Sequence, residues 1–246
     1  MENSVVLDMK DVSKTFPGVK ALQHVDFKLR KGEIHALMGE NGAGKSTLIK
    51  VLTGVHDFES GKITMAGTDI VNKSPQDAQS HGISTVYQEV NLCPNLTVAE
   101  NLFIGREPRK FGFIDWRTMN KKSAELLKDL DIDANATDKL EECSLAKQQM
   151  IAIARAVDVK AKILILDEPT RGIDIGAKAE IQKIVMKLAG DGMSCVFISS
   201  EMEEMLRCCS RMFVLRSKEI VAELTGEQIN ESYIMQCIAG EGDAKS

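Results

Sequence analysis

Apolar and polar side chains alternate along the first thirty residues of the chain. The alternation runs through VVLDMKDVSKTF (residues 5–16) and LQHVDFKL (residues 22–29). A period of two places every second side chain on the same face of a strand, so both segments are predicted to be antiparallel strands. Further along, GKITMAGTDI (residues 61–70) predicts another hairpin, with Gly67 near its turn.

Short apolar runs alternate with helical patterns in much of the remaining chain. GEIHALMG (residues 32–39) predicts a strand that leads directly into a helix, which Gly54 ends. The apolar stripe of this helix consists of Leu48, Ile49, Val51 and Leu52. A strand that feeds directly into a helix is typical of α/β proteins.

The rear of the chain repeats this strand and helix alternation. KILILD (162–167) and SCVFIS (194–199) predict strands, and helices are predicted over 145–157 and 174–189, with Gly190 as the left-handed residue that ends the second helix. A short helix and the strand pair RMFVLRS/EIVAEL (211–224) follow. The predicted fold class is therefore α/β.

Residues 91–140 differ from both flanks, because they show helical stretches separated by Pro94, Pro108 and the KFGFIDW loop, with no convincing strand. We expect one domain over residues 1–240 with a helical subdomain at approximately 89–160. The small polar residues 241–246 predict a frayed tail.

Composition excludes several classes of protein. The net charge is -5, from 31 basic and 36 acidic residues, which argues against a nucleic-acid partner. No apolar run approaches the roughly 18 residues that a membrane span needs, and the start MENSVVLDMK does not resemble a secretion signal. The six cysteines show no C-x-x-C spacing, so we expect reduced thiols rather than a zinc site.

The segment GENGAGKST (residues 39–47) matches G-x-x-x-x-G-K-[ST] between a predicted strand and a predicted helix. Glycines let backbone N–H groups close around phosphate oxygens, Lys45 reaches the β- and γ-phosphates, and Ser46 coordinates Mg²⁺. The motif predicts a nucleotide site formed by Gly39, Glu40, Asn41, Gly42, Ala43, Gly44, Lys45, Ser46 and Thr47.

Two carboxylates end the predicted strand KILILD. Asp167 could hold Mg²⁺ through water, and Glu168 could polarise an attacking water; the alternative is a solvated pair at a strand end. Gln88, after another strand, could sense the γ-phosphate through Mg²⁺, or it could be an ordinary surface glutamine. Phe16 could stack on an adenine, whereas its spacing alone favours a core phenylalanine.

The order of the P-loop, YQE, SLAKQQ and LDEPT resembles the ATP-binding subunit of an ABC transporter. Three segments are similar to the monosaccharide-import branch of this family, the ribose, galactose and xylose type: GENGAGKSTLIKVLTGV, NLTVAENLFIGREPR and DEPTRGIDIGAK. The resemblance implies a P-loop NTPase core with an antiparallel β subdomain and a helical subdomain. It also implies ATP and Mg²⁺ as cofactors, a second ATP-binding cassette and transmembrane permease subunits as partners, and a cytoplasmic location on the inner face of the cell membrane.

The resemblance also assigns roles to individual residues. Phe16 becomes the adenine-stacking aromatic, Gln88 the Q-loop residue and Asp174 the D-loop aspartate, while Ser144 and Gln148 become signature residues that reach a partner cassette. Metal binding is implied for Ser46, Gln88 and Asp167, and catalysis for Glu168, Gln88 and Ser200.

Two departures from the family pattern bear on turnover. The family signature is LSGGQ-like, whereas CSLAKQQ has Leu145 and Ala146 in place of both glycines, and a Cβ at each position should hinder close approach to a phosphate. Ser200 stands where the family has a switch histidine, and all four histidines lie earlier in the chain. Since losing one transition-state donor costs about 100- to 1,000-fold in rate, these changes predict retained Mg-ATP binding with little hydrolysis.

A third departure is length, since members of the sugar-import branch usually carry two cassettes in one chain, about twice as long as this one. The front of the chain is similar to the first cassette of two-cassette relatives and the rear to the second, which favours a join near LDEPT over drift within a single cassette. Three functions follow: an energy-coupling ATPase of a sugar importer, a nucleotide-binding module that barely hydrolyses, and a soluble ABC-type protein acting on DNA or ribosomes. The compact acidic chain argues against the third.

Overall fold

The computed structural model describes residues 4–89 and 91–240. The strands are β1 (Val5–Phe16), β2 (Val19–Arg30), β3 (Ile34–Gly39), β4 (Ser60–Met65), β5 (Thr68–Asp69), β6 (Ile83–Val86), β7 (Arg109–Lys110), β8 (Phe113–Ile114), β9 (Ile163–Asp167), β10 (Ser194–Ile198), β11 (Arg211–Arg216) and β12 (Glu219–Thr225). The helices are α1 (Lys45–Leu52), α2 (Pro75–Ser80), α3 (Val98–Phe103), α4 (Trp116–Asp129), α5 (Leu145–Asp158), α6 (Ile175–Gly190), α7 (Met202–Cys208) and α8 (Glu231–Ala239).

An antiparallel sheet of four strands in the order β2-β1-β4-β5 forms the front of the molecule. The predicted alternation is confirmed, since Leu7, Met9 and Phe27 are buried in the core while the polar residues that follow each of them are less buried. Met9 lies opposite Phe27, so the two strands contribute to the same buried layer. The β4–β5 hairpin is also as predicted, with Gly67 at a φ of 82° in its turn.

A second sheet of six strands has the order β12-β11-β3-β10-β9-β6, and its neighbours are parallel except for the antiparallel edge strand β12. Its central strands are buried on both faces. On β9, for example, Ile163 and Ile165 pack against the antiparallel sheet and α1, whereas Leu164 and Leu166 face the layer of α5 and α6. Such double burial is why these strands consist of continuous apolar runs.

Three helices stand between β6 and β9, and side chains of the capping type begin each of them. Thr97 and Glu100 form a capping box at α3, Asp115 caps α4 and Ser144 caps α5. The helices predicted in this segment are confirmed. The prediction that it contains no strand is wrong in one detail, because β7 and β8 pair in a hairpin of two-residue strands, too short to leave a periodic pattern.

Two glycines were predicted to end helices, and one of the predictions is wrong. Gly54, at a φ of 71°, follows α1 as expected. Gly190 remains inside α6 as its last residue, and the left-handed residue is Gly192, at a φ of 95°. Helices α2 and α8 were not predicted. The tail 241–246 lies outside the described residues, and no helix within residues 4–89 and 91–240 is long and apolar enough to span a bilayer.

A buried polar cluster connects the start of β3 to β11. Arg211 donates to both carboxylate oxygens of Glu33, at 2.7 and 3.2 Å, and His35 lies fully buried between Phe27 and Phe213. Burial alone would raise the pKa of Glu33, but contacts from His35 and Arg211 outweigh it and lower that pKa to about 2. Burial lowers the pKa of His35 below its usual 6.5.

We predict that stability falls as the pH drops below 6.5, because unfolded His35 takes up a proton that the buried imidazole does not. The slope contributed by one such histidine approaches about 1.4 kcal/mol per pH unit. Glu33, with a lowered pKa, adds a loss of the same sign between pH 4.5 and about 2. Urea unfolding of His35→Phe should show a shallower pH dependence between 6.5 and 4.5; an unchanged slope would contradict the assignment to His35.

Candidate functional site

The carboxyl ends of β3, β10 and β9 meet at one edge of the parallel sheet, and a cavity of about 380 Å³ opens there. Ten residues singled out from the sequence line it, namely Phe16, Asn41, Gly42, Gly44, Lys45, Ser46, Thr47, Gln88, Asp167 and Glu168. Clefts beyond the carboxyl ends of strands are the usual ligand sites of open α/β sheets. Five lining residues were missed: Val19, Ala21, Arg171, Ile198 and Lys218.

The loop between β3 and α1 depends on two glycines for its path. A Cβ on Gly39 would lie 2.2 Å from the carbonyl oxygen of Leu215, and one on Gly44 would lie 2.9 Å from that of Ala21. Gly44 is also the N-cap of α1, at a φ of 116°, and supplies no side-chain acceptor to the first turn. The first N–H groups of α1 are therefore open to an anionic ligand, which the helix dipole favours.

Lys45 lies within this loop rather than in solvent. Its ammonium donates to the carbonyl oxygens of Gly39 and Glu40, at 2.5 and 3.1 Å. Burial lowers the pKa of Lys45, while the nearby Glu168 and Asp167 act in the opposite direction. Three predicted nucleotide-site residues, Gly39, Glu40 and the buried Ala43, do not line the cavity, although two of them bond Lys45 through their carbonyl oxygens.

Asp167 and Glu168 lie across the cavity from the loop. Burial raises the pKa of Asp167, and the adjacent carboxylate of Glu168 raises it further. A cation between the two groups and the loop would relieve this repulsion. The donor set of Ser46, Gln88 and Asp167, all on one cavity, fits Mg²⁺, which binds one or two carboxylates and completes its shell with phosphate oxygens and waters.

The backbone at Glu168 is strained, with a φ of 52°. A left-handed conformation costs a non-glycine residue roughly 1–2 kcal/mol. Hydrogen bonds to the end of β10 hold it there: the Glu168 N–H donates to Ile198 O at 2.9 Å, and the N–H and hydroxyl of Ser200 donate to the Glu168 carboxylate at 3.0 and 3.1 Å. Ser200 does not line the cavity itself, but it orients the residue that does.

A buried carboxylate behind Glu168 was missed by sequence reasoning. Glu204, 4% exposed, accepts from the hydroxyls of Thr170 and Ser199 at 2.5 and 2.7 Å, and Lys178 lies 3.3 Å from its second oxygen. It therefore joins the segment after β9 to the segment after β10. No sequence signal marks Glu204, because SSEMEE (residues 199–204) contains three carboxylates that look equivalent in the sequence.

Gln88 is exposed at the rim, and Gln149 of α5 supports its backbone: the buried Gln149 amide donates to Gln88 O at 3.5 Å. Phe16 is half-buried at the opposite end of the cavity. Its ring lies edge-on to His56, with centroids 5.0 Å apart, so it is not a core phenylalanine. Both side chains line the cavity.

The predicted signature residues lie outside this cavity. Ser144 caps α5 by accepting from Lys147 N–H at 3.3 Å, and Gln148 turns back to donate to Cys143 O at 2.9 Å. The two residues that stand in place of the signature glycines, Leu145 and Ala146, differ in exposure. The Ala146 side chain is buried in the core beneath α5, and only Leu145, 46% exposed, projects from the helix start.

Asp174, the predicted D-loop aspartate, is exposed and caps α6 by accepting from Ala177 N–H at 3.0 Å. It lies outside the cavity, as do Ser144 and Gln148. If these three side chains act on a nucleotide, they act on one bound by another subunit.

The sequence profile of the ABC transporter family matches residues 22–171, which is more than half of the chain. The chain belongs to the ABC transporter family. The P-loop, the DEPT carboxylates and most of the cavity lining fall inside the matched segment.

Curated relatives identify the branch that this ABC protein resembles. It is 46% identical to the galactofuranose transporter ATP-binding protein YtfR of Escherichia coli, over 89% of this chain and 44% of that one. It is 42% identical to the ribose import ATP-binding protein RbsA 1 of Rubrobacter xylanophilus, over 90% of this chain and 44% of that one. The chain thus spans less than half the length of these relatives.

Solved structures confirm the fold class predicted from the sequence. The chain is similar to a nucleotide-free ATP-binding cassette of an ABC transporter, with a TM-score of 0.83 and 26% identity over 96% of this chain and 95% of that one. It is also similar to a dimeric ATP-binding cassette in a post-hydrolysis state bound to ADP and Pi, with a TM-score of 0.75 and 26% identity over 89% and 98% of the two chains.

We predict that Gly44→Ala lowers the affinity for Mg-ATP at least tenfold, because its Cβ collides with backbone at 2.9 Å and displaces the start of α1. Gly67→Ala is the matched control: its φ is also positive, at 82°, but nothing lies within 4 Å of its Cβ. Titration with a fluorescent ATP analogue should therefore separate the two variants. Equal affinities in the two variants would contradict the role assigned to the close approach at Gly44.

Proposed function

We propose that the chain is the ATP-binding, energy-coupling cassette of an ABC importer for monosaccharides, which binds and hydrolyses Mg-ATP to drive sugar uptake. The observation that carries the proposal is one cavity bringing Lys45, Asp167 and Glu168 together at the carboxyl ends of parallel strands. The names of the relatives, which are sugar-transport ATP-binding proteins, support the sugar class.

Nucleotide binding is the first step of the proposed reaction. The adenine stacks on the exposed side of Phe16, and the triphosphate lies along residues 39–47, with its oxygens facing the first turn of α1 and the ammonium of Lys45. Ser46, Gln88 and Asp167 would hold Mg²⁺. When bound, Mg²⁺ neutralises charge that develops on the β- and γ-phosphate oxygens.

Hydrolysis is assigned to Glu168, which polarises the attacking water. Ser200 keeps the carboxylate of Glu168 in place through two hydrogen bonds to the same oxygen, and Gln88 orients the water and the metal from the opposite rim. A positioned carboxylate of this kind typically contributes about 100- to 10,000-fold in rate.

The proposed partners are a second ATP-binding cassette, from a homodimer or a paired chain, and transmembrane permease subunits. Ser144, Gln148 and Asp174 lie outside their own chain's cavity and are assigned to the partner's nucleotide. We assign residues 1–240 to one cassette with a helical subdomain near 89–160, on the cytoplasmic face of the membrane. The join near LDEPT stays a prediction.

The alternative is a cassette that binds Mg-ATP and barely hydrolyses it. None of the comparisons favours it. It rests on the exposed Leu145 at the start of α5 and on Ser200, which lacks the imidazole expected there.

Steady-state phosphate release separates the two functions. We expect purified protein to release phosphate from Mg-ATP, and Glu168→Gln to retain Mg-ATP affinity while lowering release about 100-fold or more, since it removes the carboxylate that polarises water. Tight binding with release no faster than that of Glu168→Gln would establish the binding-only alternative.

The signature offers a second prediction. Leu145→Gly should raise phosphate release, because it clears the exposed side chain from the N–H groups that start α5. Ala146→Gly is the control: its Cβ is buried, so the change should cost about 1 kcal/mol in unfolding free energy without raising release. Faster release in both variants, or in neither, would show that Leu145 is not the obstruction.

A further inference from the structure

A pair of phenylalanines projects from the chain between α3 and α4. Phe111 is 91% exposed and Phe113 is 79% exposed, and both belong to the β7–β8 hairpin. Trp116, which is 50% exposed and is the single tryptophan of the sequence, follows the hairpin at the start of α4. We call residues 109–116 the aromatic hairpin. Exposed apolar clusters of this kind usually mark a contact with something outside the chain.

The turn of the aromatic hairpin is strained in a way that folding does not require. Its central residues, Phe111 and Gly112, have φ values of 52° and 86°, between the paired residues Lys110 and Phe113. Hairpin turns with two positive φ values favour Asn-Gly or Asp-Gly. A phenylalanine in this place carries the left-handed strain and recovers almost no burial, and the contact recorded for its ring is with the exposed Lys110 ammonium, 5.8 Å from the ring centroid.

The hairpin is nevertheless held firmly at its base. The N–H of Asp115 donates to Pro108 O at 2.7 Å, and the Asp115 side chain caps α4 by accepting from Thr118 N–H at 3.1 Å. Ile114 packs against the core next to this cap. The aromatic side chains are therefore presented on a fixed support, which lowers the entropic cost of a contact.

Charge around the hairpin differs in sign from the chain as a whole. Residues 106–122 include six basic and two acidic side chains, an excess of four positive charges in a chain of net charge -5. Arg109, Lys110 and Arg117 are exposed, and none of the ion pairs within residues 4–89 and 91–240 involves them. This part of the surface is thus both apolar and cationic.

We propose that the aromatic hairpin is a direct contact site for an anionic lipid surface. Aromatic rings bind at the level of lipid headgroups, and adjacent basic residues add an attraction to anionic lipids. The hairpin is convex, with its phenylalanines at a turn, so it suits insertion into a flat interface. Its positive excess would also orient an otherwise acidic chain with this end towards a negative surface. The contact is additional to the permease subunits of the proposed function.

Vesicle binding by the full chain, without nucleotide, tests the proposal. We expect co-sedimentation with vesicles of phosphatidylglycerol and phosphatidylcholine, and much less with phosphatidylcholine alone. Emission of Trp116 should shift to shorter wavelength on binding, since it is the single tryptophan and lies beside the site. Added salt should weaken binding, because it screens Arg109, Lys110 and Arg117.

Variants separate the ring contribution from the charge contribution. Phe111→Asn should lower the vesicle partition coefficient about tenfold, because it removes the apolar ring that would be buried in the lipid. The melting temperature of the protein should stay equal or rise, since asparagine suits a left-handed turn. Arg109→Gln with Lys110→Gln should lower it by a similar factor on anionic vesicles alone. Val71→Ser with Met235→Ser removes exposed apolar side chains elsewhere and should leave binding unchanged.

Several results would overturn the proposal. They are no binding to anionic vesicles, binding that Phe111→Asn does not weaken, and binding that the Val71→Ser, Met235→Ser control weakens equally. If the wild-type chain does not bind vesicles, and if Phe111→Asn weakens binding to another protein, the hairpin docks on protein instead. Because the assay contains no nucleotide, its outcome is independent of phosphate release.

Discussion

The parallel pairing of β3, β10 and β9 is the constraint on which the site depends. β10 lies between the other two, with Val196 opposite both His35 and Ile165, so all three strands end at the same edge. That arrangement places the glycine-rich loop after β3 and the carboxylates after β9 along one cleft, and it brings Ser200, after β10, into hydrogen-bond contact with Glu168. Segments separated by more than a hundred residues thus become neighbours through backbone pairing and through the apolar layers that bury both faces of the sheet.

Several features at this edge oppose folding and are maintained by the surrounding structure. Glu168 has left-handed backbone, Asp167 is partly buried beside a second carboxylate, and Lys45 is desolvated within its loop. Strain and like charge of this kind persist only where neighbours over-determine the geometry. Here the hydrogen bonds from Ser200 and to Ile198, together with the buried Glu204 behind them, provide that support.

Two surfaces away from the cavity expose side chains that we assign to contacts with other molecules. The start of α5 exposes Leu145 but buries Ala146, so the two substitutions that look equivalent in the sequence differ in consequence. The aromatic hairpin exposes side chains that the fold does not need. Both surfaces face outward. A capping residue holds the backbone of each, Ser144 at the start of α5 and Asp115 at the start of α4.

The sequence alone determined the α/β class, the family and most of the cavity lining. Three local signals carried these predictions. Period-two alternation gave the first two strands, the P-loop spacing gave α1 and Lys45, and the carboxylate pair that ends an apolar run gave Asp167 and Glu168. Tertiary structure decided what depends on neighbours distant in the chain. The burial of Ala146, the role of Glu204 and the lining contributed by Arg171 and Lys218 all required knowing which segments meet. The end of α6 was predicted at Gly190 although the helix includes that residue, and the two-residue strands β7 and β8 were not predicted. Over one or two residues, tertiary contacts outweigh local preference.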